Sequence, residues 1–362
     1  MFDALALAVQ VGIPTLLWGA PGIGKTSVCK QLAEQFQWPY EVVIASIREP
    51  SDFAGLPIIH DGAMSLVPPA WARRLAEAGH GLLFLDEITS CTGALQSALL
   101  RVVLERCVGD LQLPPAVRIL AAANPVEQAA GGWNLTPPLA NRFCHIEWPV
   151  DSARWVEGML NGWQPQSLLL LPEDWTMHIP AARALLASFI KHKSDILLSV
   201  PSEEERAEKG WPSPRSWEVA SSLLAAVRAS GATDEVESIL LTGCVGEGAA
   251  REFLVWQNEM DLPDPEFVLA NPEKFKLPKR GDKTFAILTS VVAAACGNLT
   301  SQRWIAAWDV LASAAKQNAV DIASIAAKQL ALKTQENFPL PTKQTAPFLP
   351  VLQLAGKMRA AA

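Results

Sequence analysis

Residues 19–26 read Gly-Ala-Pro-Gly-Ile-Gly-Lys-Thr, a G-x-x-x-x-G-K-T string of the kind that cradles phosphates. Gly19, Gly22 and Gly24 let the backbone N–H groups of a loop running through Ala20, Pro21 and Ile23 turn toward an anion without a Cβ in the way. Lys25 brings a point charge to β- and γ-phosphates, and Thr26 a hydroxyl for Mg²⁺. Ser27 continues into a helix whose positive dipole end faces the same anion. About sixty residues later Leu82–Leu85 form an apolar run ending in Asp86-Glu87. A strand without alternation is one buried on both faces, and ligands sit at the carboxyl ends of such strands. Asp86 is placed to hold Mg²⁺ through its water shell, and Glu87 to act as general base on water.

These groups need elements that bring them together. The apolar run before Gly19 predicts a strand at Thr15–Trp18, and Val28, Leu32 and Phe36 at four-residue spacing predict the helix after it. Further strands are expected at Tyr40–Ile47, at 82–85, at Val117–Ala123 and at Phe143–Trp148, the last with Cys144, Ile146 and Trp148 on one side. Strands alternating with helices give an α/β fold on a parallel sheet. Ile58–Leu66 reads as a hairpin with Asp61-Gly62 at its turn, and Cys107–Leu113 as a second one after a helix at Leu95–Glu105. After Pro149 the pattern turns helical, with Trp155, Met159 and Leu160, then Ala184 to Ile190, then Trp217 to Val227. The expected domains are 1–150, an α/β nucleotide-binding domain with two hairpin insertions; 151–262, a helical lid; and 263–362, a linker and C-terminal helices. In the last, Trp304, Trp308, Leu311 and Ala315 form an apolar stripe. Lys274, Lys276, Lys279, Arg280 and Lys283 crowd the linker, as a solvated run or as a surface for an anionic partner.

The chain resembles AAA+ ATPases, and most of all the MoxR and dynein-related group. Besides the two phosphate-site strings it carries Arg48-Glu-Pro-Ser-Asp-Phe-Ala-Gly-Leu56, Gln96-Ser-Ala-Leu-Leu100, Ala121-Ala-Ala-Asn-Pro125 and Leu135-Thr-Pro-Pro-Leu-Ala-Asn-Arg-Phe143 in that group's order and spacing. The likeness covers residues 10–150 and, more loosely, 151–220. It implies a P-loop sheet in the order 5-1-4-3-2, a helical lid, hydrolysis of ATP with Mg²⁺, and a homo-oligomeric, hexameric ring. Asn124 is then a sensor of the γ-phosphate or the lytic water, where the plain alternative is an Asn opening a turn before Pro125. Arg142 is the arginine finger reaching the neighbouring subunit's γ-phosphate, the alternative being a surface ion pair. Arg215, at the second position of a helix opened by Ser213-Pro214, opposes the helix dipole and is tolerable facing an anion. The resemblance makes it a lid arginine on the nucleotide phosphate. Both hairpins would face a central pore, or else be surface loops. Relatives act as chaperones on protein partners, many with a von Willebrand factor A-domain protein.

Composition narrows the classes. A net charge of −7 argues against a nucleic-acid-remodelling motor, the first rival reading. The presence of Lys25, Asp86, Glu87, Asn124, Arg142 and Arg215 together argues against the second, a nucleotide-switched scaffold without turnover. Six scattered cysteines read as buried thiols of a reducing compartment, and no stretch is long and apolar enough for a bilayer, so a cytoplasmic protein away from membranes is expected. No base-specific contact separates ATP from GTP.

Overall fold

The computed structural model describes residues 1–60, 62–125, 128, 132–201, 209–335 and 337–354. The chain divides into two compact units, one of residues 1–171, 198–223 and 230–250, the other of 172–197, 224–229 and 251–362. The segment 151–262, expected as one lid, thus supplies residues to both. Ser202-Glu-Glu-Glu205, whose spacing in the sequence reads as a capping box, lies outside the described residues.

Among the described residues the first unit is built on nine strands: β1 Thr15–Trp18, β2 Tyr40–Ile44, β3 Leu56–His60, β4 Ala63–Val67, β5 His80–Asp86, β6 Cys107–Val108, β7 Leu111–Gln112, β8 Ala116–Ala123 and β9 Cys144–Glu147. Five of them form one parallel sheet in the order β2-β5-β8-β1-β9. Numbered within the sheet alone, that is 5-1-4-3-2 read from the far edge. Leu82, Leu83, Phe84 and Leu85 of β5 are wholly buried, as are Leu16 and Leu17 of β1 and Ala121–Ala123 of β8. Removing a side chain of that size from water stabilises by about 1.5–3 kcal/mol each. The central strands are therefore rigid where they end at the phosphate loop.

Three details depart from the expected elements. β2 leaves the sheet at Ile44, and residues Ala45–Ile47 form a 3-10 turn rather than more strand. β9 does not alternate in burial: His145 is as enclosed as Cys144 and Ile146. The reason is cover on both faces. Trp18 and Ala140 meet the His145 ring. The helix Asp234–Val245 lies so close that a Cβ on Gly243 would come within 2.3 Å of the His145 carbonyl oxygen. Finally, the helix Ser152–Asn161 does not turn Trp155, Met159 and Leu160 into a core. It buries only Gly158, under the Trp163 ring, and leaves those three 54%, 61% and 77% exposed.

Both hairpins are present. β3 pairs antiparallel with β4, and β6 with β7; Asp61 at the first turn lies outside the described residues. They are stitched together by main chain. Gly109 N donates to Phe53 O at 3.2 Å, Asp110 N to Leu66 O at 3.0 Å, and Leu66 N to Asp110 Oδ2 at 2.7 Å. Phe53, buried against Trp71, roots the pair in the core. At the free end Ile59 and Met64 are exposed.

The second unit is helical. The expected stripe holds: Trp304, Trp308, Leu311 and Ala315 are buried among the helices Gly281–Gly297, Ser301–Lys316 and Val320–Ala331. Trp304 and Trp308 meet edge to face at 5.9 Å, and Trp304 Nε1 donates to Pro339 O at 2.9 Å. Among the described residues no helix is long and apolar enough to cross a membrane.

Candidate nucleotide site

The loop after β1 departs from ordinary L-residue backbone at two glycines, Gly22 at φ 80° and Gly24 at φ 93°. A Cβ there would meet nothing within 4 Å, so the backbone borders open space that a phosphate chain can fill. Gly19 is required for a different reason. A Cβ on it would strike Trp148 O at 2.7 Å, so it is the packing of the chain after β9 that excludes a side chain. The helix Lys25–Phe36 then opens with no side-chain cap, leaving its first N–H groups for an anion. Ala20, Pro21, Ile23 and Ser27 complete this loop and first turn.

Lys25 is buried, and its Nζ donates to Gly19 O at 2.6 Å, Ala20 O at 2.9 Å and Asn124 Oδ1 at 2.8 Å. Burial lowers its pKa, while Asp86, Cys29 and Glu87 push it back up. Thr26 Oγ1 donates to Asp86 Oδ2 at 2.9 Å, across the ends of β1 and β5. Asn124 ends β8 between them, and its N–H and carbonyl are both bonded to Thr89 Oγ1, at 3.2 and 3.0 Å. Glu87 is a non-glycine residue at φ 58°, held by its N–H donating to Asp86 Oδ1 at 2.9 Å. Such backbone costs a non-glycine residue about 1–2 kcal/mol. The strain turns the chain sharply after Asp86 and aims the two carboxylates differently. Lys25, Thr26, Asp86, Glu87 and Asn124 therefore converge at the carboxyl ends of β1, β5 and β8.

Arg142 and Arg215 form a second group. Asn141 Oδ1 accepts from Ser213 Oγ at 2.8 Å and its Nδ2 donates to Trp211 O at 3.0 Å, which ties the start of the helix Pro214–Ser230 to the turn bearing Arg142. Ser213 and Ser216 cap that helix reciprocally, at 2.8 and 3.1 Å. Arg142 donates Nη1 to Pro138 O, and its Nε has no partner among the described residues. Partial burial lowers its pKa, and the Arg215 charge lowers it further. Both arginines stand at the end of β9 opposite the phosphate loop. Cys144 N donates to Pro14 O, so Arg142 is level with the residues before β1. Six residues of extended chain separate that level from Gly19, roughly 20 Å. An arginine side chain does not span this. Arg215 lies near enough to Arg142 for its charge to bear on that guanidinium.

The sequence profile of the AAA domain (dynein-related subfamily) matches residues 14–143, the stretch from the start of β1 to the start of β9. Residues 14–143 are an AAA domain of the dynein-related subfamily. Two curated relatives are similar over it. One is "Transcriptional regulatory protein XylR" of Pseudomonas putida, 31% identical over 133 residues, 34% of this chain and 23% of that protein. The other is "Pathogenicity locus probable regulatory protein WtsA" of Pantoea stewartii subsp. stewartii, 30% identical over 131 residues, 33% of this chain and 41% of that protein. The chain thus spans well under half the length of the curated relatives it matches. A solved structure from Cytophaga hutchinsonii, described as a "putative ATPase", is 18% identical and aligns at a TM-score of 0.45 over 77% of this chain and 90% of that one.

Sequence reasoning missed one contributor to the AAA domain's site. Ser46, in the turn that ends β2 early, donates Oγ to Glu87 Oε2 at 2.5 Å. Nothing in the sequence marks it, because the contact depends on where β2 leaves the sheet. The hydrogen bond fixes where the Glu87 carboxylate sits. Ser46→Ala is expected to raise basal nucleotide hydrolysis by about 2–10-fold, since a typical intramolecular hydrogen bond is worth about 0.5–1.5 kcal/mol net. Steady-state phosphate release checks this.

His145 ties the AAA domain's β1 to β9. Trp18 Nε1 donates to its Nδ1 at 2.8 Å and its Nε2 donates to Ala140 O at 2.8 Å, which assigns the neutral Nε2–H form. A second proton would set one N–H against another. Burial accordingly pulls its pKa down to about 4. The unfolded chain binds that proton near pH 6.5, so stability is complete above pH 6.5 and falls as pH drops toward 4. The expected loss is about 3 kcal/mol. Urea unfolding across this window checks it: His145→Gln is less stable at pH 7 but has a flatter pH dependence.

Proposed function

We propose that the protein is an ATPase of the MoxR-like kind, hydrolysing ATP at sites shared between subunits of a ring to remodel a protein partner. The residues present fit Mg²⁺ and a triphosphate: an open glycine loop, an uncapped helix start, a buried lysine, and a hydroxyl–carboxylate pair. Thr26 and Asp86 would hold Mg²⁺, which neutralises phosphate charge when bound. Lys25 balances β- and γ-phosphate charge, and Asn124 orients the groups about the γ-phosphate. Glu87 takes the proton of the attacking water.

The observation that carries the shared-site reading is that Arg142 is level with the residues before β1, roughly 20 Å of extended chain away from Gly19. Two cations close enough for one to lower the other's pKa, with no acid partner among the described residues, suit an anion brought by another copy. Such head-to-tail contacts close into rings when the rotation allows, a hexamer by family likeness. The exposed Trp155, Met159 and Leu160 offer apolar area for them. The exposed hairpin end at Ile59 and Met64 is suited to grip a protein substrate, and an adaptor with a von Willebrand factor A domain fits the family likeness. Net charge of −7 speaks against nucleic acid as the substrate. The test is the ATPase rate per chain against protein concentration. A rate that rises and then saturates is expected; a flat rate overturns the shared site.

A further inference from the structure

The second unit holds a cavity of about 460 Å³ bordered by the segment 261–283 and the helix Gly281–Gly297. The nucleotide chemistry uses none of it. Its floor is apolar: Val268, Phe275 and Ile287 are buried, and Phe267 shows its ring at the mouth. Its rim is cationic. Lys274, Lys276, Lys279 and Lys283 line it against a single carboxylate, Asp261.

These lysines are the run that the sequence left open between solvated linker and anionic-partner surface, and their placement separates the two. Leu277 N donates to Gln317 Oε1 at 3.0 Å, which pins the strap carrying them. Lys274 Nζ is bonded to Asn271 Oδ1 at 2.7 Å. The ammonium groups of Lys276, Lys279 and Lys283 have no hydrogen-bond or ion-pair partner among the described residues, whereas the adjacent Arg280 is taken up by Asp282 at 2.7 Å. Free cations are thus gathered around an apolar hollow on a protein whose net charge is −7. A solvated linker has no reason to surround a cavity with its charges.

The occupant must present an apolar group to the floor and several separated negative charges to the rim. A phosphate is recognised best by arginine forks or convergent backbone N–H groups. Lysines on flexible stems, spread around a mouth, suit carboxylates spaced along a chain. A volume of this size accepts one large side chain with its neighbours.

We propose that this cavity docks an acidic segment of a partner protein, with one aromatic or aliphatic side chain against Phe267, Phe275 and Ile287 and flanking Asp or Glu carboxylates on Lys276, Lys279 and Lys283. The site is independent of ATP hydrolysis, so the two can fail separately.

The test selects phage-displayed random 12-residue peptides on the full-length chain and measures the recovered peptides by fluorescence anisotropy. Sequences with Asp and Glu flanking an aromatic or aliphatic residue are expected. Their binding should weaken at least about tenfold in Lys276→Glu/Lys279→Glu and on raising salt from about 0.05 to 0.3 M. Phe267→Asp, a change at an exposed ring, should weaken it similarly. The ATPase rate and thermal unfolding of each variant should match the parent. Recovery of no peptide, of peptides without acidic enrichment, or of peptides that bind the lysine variants equally overturns the proposal. Displacement by equimolar single-stranded oligonucleotide also overturns it and assigns the rim to nucleic acid.

Discussion

Glu87→Gln is expected to lower ATP turnover by about 10²–10⁴-fold while nucleotide still binds. The substitution keeps shape and keeps an oxygen to accept from Ser46, so the 2.5 Å contact survives and the loop around it is undisturbed. What it removes is the ability to take a proton. Lys25, Thr26 and Asp86 make their contacts without Glu87, so affinity for a fluorescent ATP analogue should change little. Steady-state phosphate release and equilibrium binding, measured on the same preparation, separate the two effects. Turnover within tenfold of the parent would remove Glu87 as the base. The residue also occupies left-handed backbone at φ 58°. Replacing it with glycine should therefore stabilise the fold by about 1 kcal/mol while abolishing turnover, a combination expected of a strained residue retained for chemistry.

The second large effect is in trans. Arg142→Ala is expected to cut turnover by about 10³-fold or more, by comparison with arginines supplied between GTPase partners. The altered residue lies far from the loop of its own chain, so each variant chain still binds nucleotide and instead disables its neighbour. Mixtures with the parent chain should lose activity faster than in proportion to the variant added. Arg142→Lys should rescue only partly, because an ammonium lacks the planar fork that spans two phosphoryl oxygens. Proportional averaging in mixtures would withdraw both the shared site and the ring. Arg215→Ala should poison in the same way, since Arg215 stands beside Arg142.

The sequence alone placed the candidate groups on their strands and loops, while the order of the strands in the sheet came from the family resemblance. The glycine loop, Lys25 and Thr26 are consecutive, and Asp86-Glu87 close an unbroken apolar run, so spacing and period sufficed to place them at strand ends. The same held for both hairpins and for the stripe of Trp304, Trp308, Leu311 and Ala315, where the pattern repeats within one element. Tertiary structure decided what depends on where elements stop and which faces meet. β2 ends at Ile44 and so delivers Ser46 to Glu87. β9 is covered on both faces, which makes His145 a neutral buried link instead of an exposed position. The helix Ser152–Asn161 has an apolar periodicity that serves no core, because period reports amphipathicity and not what lies opposite. Arg142 and Arg215 are 73 residues apart, and it is the contacts of Asn141 with Ser213 and Trp211 that bring them together. Likewise the lysines of 274–283 are a charge run in one dimension and the rim of a cavity in three. Short-range pattern carries bonding preferences along the chain, whereas burial and convergence are set by long-range packing that no single segment encodes.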